Sequence, residues 1–115
     1  MAQLINQSKN KTIFKTLETA TSFKSRLIGL IGTKSLPKET AIYFPNCNWI
    51  HTFFMSMPID VIYLDKAMRV TKIHTQLSPW RLPAPVLRAR VVIESAAGVL
   101  KQELIEVGDL LYVGD

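Results

Sequence analysis

Short apolar segments, separated by prolines and polar turns, are the feature that most restricts the fold of this 115-residue chain. The longest uncharged stretch runs from Ala41 to Ile59, but Pro45 and Pro58 divide it into shorter pieces. This interruption predicts that the stretch does not span a membrane as a helix. Because the segments are rich in aromatic and β-branched residues, they favour strands over helices.

Strands are predicted at about seven places along the chain. Two short strands precede residue 17, with a turn at Asn10 and Lys11 between them. Alternation of apolar and polar residues from Leu87 to Glu94 predicts a strand that is buried on one face only. The other strands are predicted at residues 41–44, 49–55, 59–64, 69–75 and 110–113.

Two short helices complete the predicted elements. Phe23 and Leu27 begin an amphipathic helical spacing that ends at Gly32, and Ser95 predicts the N-cap of a helix over residues 96–104. Every connection is short enough for antiparallel strand pairing. We therefore predict an α+β, β-dominated fold, a mostly antiparallel small barrel or sandwich with two short helices.

Length and composition predict one domain over residues 1–115. With 48% hydrophobic residues, a chain of this length can bury a core without a disulfide or a structural metal. Cys47 is the only cysteine, and the N-terminus carries no apolar run typical of a secretory signal. These features favour a cytoplasmic protein. No ligand spacing predicts a metal site or a cofactor.

The charge distribution is uneven. The chain has a net charge of +5, and residues 1–90 hold 13 Lys and Arg against four Asp and Glu. A basic body can attract nucleic acid or an acidic ligand. Because the basic residues are scattered along the sequence, they favour an ordinary solvated surface, and nucleic-acid binding remains an alternative.

His51 and Asp60 are the polar residues in the segment from His51 to Asp65 that most suggest a site. A histidine in this aromatic setting suits a general base or a ligand donor, and otherwise a structural role that satisfies a backbone group. Asp60 is expected on an apolar strand face. There it must accept backbone N–H groups, pair with an arginine or meet His51. Asp65 fits a turn.

The proline-rich loop SPWRLPAP supplies the other candidates. Trp80 and Arg81 lie in it, and Arg81, with Arg88 and Arg90, can hold a phosphate or a carboxylate. A solvent-facing strand edge with a packed aromatic explains the same residues without a site.

Three sequence blocks resemble the domain-of-unknown-function family 192, an uncharacterised family of bacteria and archaea. They are Arg26 to Gly32 with Leu36-Pro37, then His51 to Met55 with Pro58 to Val61 and Leu64-Asp65, then Pro79-Trp80-Arg81 with Ala89 to Glu94, Ala97-Gly98 and Val107 to Asp109. The resemblance covers roughly residues 12–113 and implies a compact β-rich domain. It implies no reaction. Met68 stands where family members often carry glycine, which argues against a left-handed turn residue after Asp65.

Three functions fit these residues. The leading hypothesis is a small soluble non-enzymatic binding module for a small polar or anionic ligand or a protein partner, with a pocket framed by His51, Met55, Asp60, Trp80 and Arg81. The alternative is a hydrolase or transferase that uses His51 as base with Asp60 or Asp65. The second alternative is nucleic-acid binding through the basic body.

Overall fold

The computed structural model describes residues 2–20, 36–53 and 55–115. Eight strands lie within this part of the chain, and they alternate with turns and irregular segments. Their bounds are Gln3–Asn6 (β1), Lys11–Phe14 (β2), Thr16–Thr19 (β3), Thr40–Pro45 (β4), Ile59–Leu64 (β5), Val70–Leu77 (β6), Val91–Ala96 (β7) and Leu111–Gly114 (β8).

The strands form two sheets. One has the order β2-β1-β8 and is antiparallel throughout. The other has the order β3-β4-β7-β5-β6, in which β3 and β4 are parallel and the other pairs antiparallel. The prediction of a β-dominated, mostly antiparallel fold is confirmed. The exception among the described pairs is β3 with β4, which run in the same direction.

The five-stranded sheet is covered on both faces, and all six residues of β5 are buried. One face carries Ile62 and Leu64, which pack with Leu4 and Phe14 of the small sheet into what we call the first core. The opposite face carries the second core. Its members are Ile42, Ile50, Met55, Met57, Ile59, Val61, Tyr63, Ala89 and Val92.

The two sheets share the first core but stay separate sheets with their own end strands among the described residues. A closed barrel is therefore wrong, and two open sheets packed over a common core replace it. Within the described chain, no helix is long and apolar enough to cross a bilayer.

The helix predicted over residues 96–104 is wrong. Gly98 has φ +86° in a turn that ends β7, and the N–H groups of Val99 and Leu100 donate to the Asp60 carboxylate instead of to helical carbonyls. A carboxylate from a neighbouring strand has replaced the helical acceptors. The helix predicted from Phe23 to Gly32 lies outside the described residues.

Two predicted strands also need correction. Residues 49–53 and 55 form no strand, because Thr52 hydrogen bonds to the loop at Arg81 instead of to a strand. The strand predicted from Leu87 to Glu94 begins only at Val91, after a turn that leaves Leu87 83% exposed. Both faces of this strand are buried, so Glu94 does not face solvent.

The turn after Asp65 does form despite the absence of glycine. Met68 adopts φ 65°, and the Asp65 carboxylate accepts the N–H groups of Ala67 and Arg69 at 2.9 and 3.0 Å. This side-chain bonding is the usual turn role of aspartate. The expectation that Met68 argues against a left-handed residue here is wrong. The strained backbone of Met68 is accompanied by packing of its side chain against the first core.

Candidate functional site

Asp60 on β5 is fully buried, and backbone N–H groups saturate its carboxylate. Oδ1 accepts the N–H of Gln76 at 2.8 Å, and Oδ2 accepts those of Val99 and Leu100 at 3.0 and 2.9 Å. Charge-assisted bonds of this kind offset the cost of burying a carboxylate. Of the three partners expected for Asp60 from the sequence, the structure shows the first, backbone N–H groups.

The three bonds to Asp60 connect β5 to two distant places in the chain. Gln76 has φ 53° at an irregularity in the pairing of β5 with β6, and the turn at Gly98 follows β7. Asp60 therefore holds a left-handed residue of an edge strand and the turn after β7 at once. This arrangement is a structural junction, and it leaves the carboxylate no oxygen without a partner.

Thr52 is a second buried polar residue, and it fixes the proline-rich loop. Its N–H donates to the Arg81 carbonyl at 3.0 Å, and its carbonyl accepts the Trp80 N–H at 2.8 Å. Its hydroxyl donates to the Ser78 carbonyl at 2.7 Å and accepts the Arg81 N–H at 2.8 Å. These bonds join two loops without regular structure and fix their position relative to each other.

The segments that Thr52 joins carry a row of three rings, which we call the ring surface: His51, Phe53 and Trp80. His51 stacks on Phe53 with ring centroids 5.0 Å apart, and Phe53 meets Trp80 at 6.1 Å. His51 Nδ1 accepts the Phe53 N–H at 3.2 Å, which fixes the imidazole. Trp80 is 59% exposed with φ 63°, and Arg81 beside it is also exposed.

The structure thus brings three of the five predicted site residues together: His51, Trp80 and Arg81. Met55 is buried in the second core, and Asp60 lies on the other face of the sheet from Val61 of that core. A single pocket framed by all five residues does not form.

The alternative catalytic pair is not assembled either. Within the described chain, His51 makes no hydrogen bond or ion pair to a carboxylate. Asp60 is committed to three N–H groups and Asp65 to its own turn. No set of three or more His, Cys, Asp or Glu in the described ranges is arranged to hold a metal ion.

A different polar group, on the second-core face, was missed from the sequence. Glu94 on β7 is 7% exposed, and burial raises its pKa to about 7. Burial, with the Glu94 carboxylate and Cys47 nearby, raises the pKa of Tyr63 to about 12. Burial and then Lys72 lower the pKa of His74. The available signal was a lone glutamate in the run Val-Val-Ile-Glu-Ser.

We expect Thr52→Val to lower the free energy of unfolding by about 2 kcal/mol, because valine keeps the shape but removes both hydroxyl hydrogen bonds. Urea denaturation measures this loss. Thr75→Val, on the exposed part of β6, is the matched control and should change it by less than about 0.5 kcal/mol. Equal losses in the two variants would contradict the role of Thr52.

Taken together, the fold and these sites define a small two-sheet β protein that carries an exposed ring surface held by a buried threonine. The chain belongs to the DUF192 family, described as Uncharacterized ACR, whose model matches residues 4–113. The resemblance expected from the sequence is therefore confirmed.

Archaeal relatives are named UPF0127 proteins, a name that states no activity. The UPF0127 protein PH1112 of Pyrococcus horikoshii is 40% identical over 113 residues, which cover 92% of this chain and 94% of that protein. UPF0127 protein TK1120 of Thermococcus kodakarensis is 34% identical over 94% of this chain and 71% of its own length.

Two bacterial crystal structures share the fold. A protein of unknown function from Novosphingobium aromaticivorans has a TM-score of 0.72 at 19% identity, over 96% of this chain and 82% of its own. A "putative transcription regulator" from Sinorhizobium meliloti has a TM-score of 0.73 at 18% identity, over 97% of this chain and 91% of its own. At these identities the likeness concerns the fold alone.

Proposed function

We propose that this protein is a small non-enzymatic binding module that holds a planar anionic ligand on the ring surface beside Arg81. The observation that carries the proposal is the row of rings His51, Phe53 and Trp80. In this row His51 stacks on Phe53 and Phe53 meets Trp80 at a tilt, while Thr52 bonds hold the two loops together. Rings held in place before binding lose little conformational entropy when a flat ligand stacks on them. A stacking platform of this kind favours binding of an aromatic or conjugated group.

The charge around the ring surface supports an anion as the bound group. Arg81 is exposed next to Trp80, and guanidinium binds carboxylate and phosphate through paired hydrogen bonds. The net charge of +5 adds long-range attraction for an acidic ligand. Trp80 also keeps a left-handed backbone while largely exposed, and strained residues of this kind concentrate at functional sites.

Binding fits these residues better than catalysis by His51. General base catalysis needs an oriented imidazole whose basicity a partner supports. The described contact of His51 Nδ1 is with the Phe53 N–H, which uses the ring nitrogen as a structural acceptor. We further propose that the module is a single domain and acts in the cytoplasm, where a lone cysteine such as Cys47 stays reduced.

Trp80 fluorescence offers a direct test. We expect Trp49→Phe, which leaves Trp80 as the only tryptophan, to retain saturable quenching by phenyl phosphate or benzoate. Stacking on the indole and pairing with Arg81 both require these probes to lie against Trp80. Adding Arg81→Ala should weaken the affinity for phenyl phosphate at least tenfold, since it removes the paired guanidinium.

The matched control is Trp80→Phe, which leaves Trp49 as the fluorescent reporter. Trp49 is 51% exposed, and its indole N–H donates to the Pro83 carbonyl at 2.8 Å. That variant should show no saturable quenching by the same probes. Lys101→Ala removes an exposed cation outside the candidate anion site and should bind like its parent. Quenching that follows Trp49, or an unchanged affinity in Arg81→Ala, would show that the ring surface is not the site.

A further inference from the structure

Three polar groups on the second-core face lack partners. Tyr63 Oη and His74 Nε2 are buried and have no hydrogen-bond partner in the described part of the chain. Glu94 is 7% exposed and makes no hydrogen bond or ion pair with any residue that the structure describes. Buried polar groups are nearly always satisfied, so three such groups in one place need an explanation.

The sheet register brings these three residues together. Glu94 and His74 both pair with Val61, one from each side, and opposed residues of antiparallel strands point to the same face. Tyr63 is two residues further along β5 and therefore shares that face. Its ring meets the His74 ring edge-on at 5.6 Å. The three side chains thus surround Val61 on the second-core face.

The surroundings leave the Glu94 charge without compensation. The second-core side chains on this face are apolar apart from Tyr63. Lys72 pairs with Tyr63 and is exposed, and Cys47 donates to the Trp49 carbonyl. Neither Lys72 nor Cys47 forms an ion pair with Glu94 in the described part of the structure. A buried carboxylate without a cation is costly, and a bound cation would remove that cost.

We propose that Glu94, Tyr63 and His74 form a second binding site, for the ammonium group of a small organic amine. This site is distinct from the ring surface and takes a ligand of the opposite charge. An ammonium group has three N–H donors, and the cluster offers three acceptors: the Glu94 carboxylate, the Tyr63 oxygen and the lone pair of a neutral His74.

Competing ligand classes fit less well. An anion would meet the Glu94 carboxylate, and a neutral alcohol would leave that charge without a counter-ion. A quaternary ammonium ion has the charge but no N–H to donate. The site therefore favours primary amines over alcohols and over quaternary amines of similar size.

The test uses the full chain, labelled with ¹⁵N, and ethylammonium chloride at constant ionic strength and pH 8. We expect saturable amide shifts on β5, β6 and β7 around Val61, and an affinity for ethanol and for tetramethylammonium at least tenfold weaker. Because binding needs ionised Glu94, the affinity should fall about thirtyfold between pH 8 and pH 5.5.

Glu94→Gln should lower the ethylammonium affinity at least tenfold, and Tyr63→Phe severalfold, while exposed Glu103→Gln should bind like the wild type. A dispersed amide spectrum shows that each variant is folded. The absence of saturable shifts at pH 8 would overturn the proposal. So would equal binding of ethanol, shifts confined to the ring surface, or an unchanged affinity in folded Glu94→Gln.

Discussion

Asp60→Ala should lower the free energy of unfolding by about 4 kcal/mol, the largest loss that we expect from a single side chain. The substitution leaves the N–H groups of Gln76, Val99 and Leu100 without an acceptor inside the protein. Each buried, unsatisfied donor costs about 1–3 kcal/mol. The bulge in β6 and the turn after β7 would both lose the bond that fixes them.

Urea denaturation at pH 7 measures this effect, and Asp65→Ala is the matched control. Asp65 also accepts two N–H groups, but in an exposed turn where water replaces the carboxylate. Its loss should be about 1 kcal/mol. Asp60→Asn should fall between the two, because its amide retains one acceptor oxygen. Similar losses in Asp60→Ala and Asp65→Ala would show that the junction is not important for stability.

The sequence predicts only part of the role of Asp60. An aspartate between Ile59 and Val61 in an apolar strand predicts a buried carboxylate with a partner, and the structure shows one. The partners themselves lie 16, 39 and 40 residues away in the chain. Only strand pairing brings them close to Asp60, and this pairing cannot be predicted from the local sequence. The need for a partner was predictable, and its identity was not.

Apolar patterns predicted strands correctly where the strands pair, as in β5, and wrongly where apolar residues are buried without pairing. Ile50, Met55 and Met57 pack onto the second core, which gives their segment the composition of a strand. The backbone of Thr52, however, bonds to the loop at Trp80 and Arg81. Composition reports burial, but the hydrogen-bond partner decides the secondary structure.

The candidate site could be predicted only in part from the sequence. His51 was predicted as a candidate from its chemistry in an aromatic segment, and Trp80 and Arg81 from their place in the proline-rich loop. The structure brings the two segments together. The sequence did not predict that Glu94 is buried, because Glu94 continues the alternation of Arg88 and Arg90 and that pattern predicted a solvent-facing position. The strand begins only at Val91, beyond both arginines, and its two faces are covered.

Glu94 should make the protein less stable as the pH rises. Its pKa is about 7 in the folded state against a usual value of 4.5, so the folded protein binds the proton more tightly than the unfolded chain does. The stabilisation by protonated Glu94 is fully present below pH 4.5 and is lost progressively until pH 7 is passed. The difference corresponds to about 3 kcal/mol.

Glu94→Gln removes this titration, since glutamine stays neutral at every pH. We expect the variant to match the wild type in urea denaturation at pH 4.5 and to exceed it by up to about 3 kcal/mol at pH 8, while exposed Glu103→Gln follows the wild type throughout. A difference that does not change with pH would contradict the burial of an uncompensated charge. If the site binds an amine, ethylammonium at pH 8 should raise wild-type stability and leave Glu94→Gln unchanged, because the cation supplies the counter-charge that the variant no longer needs.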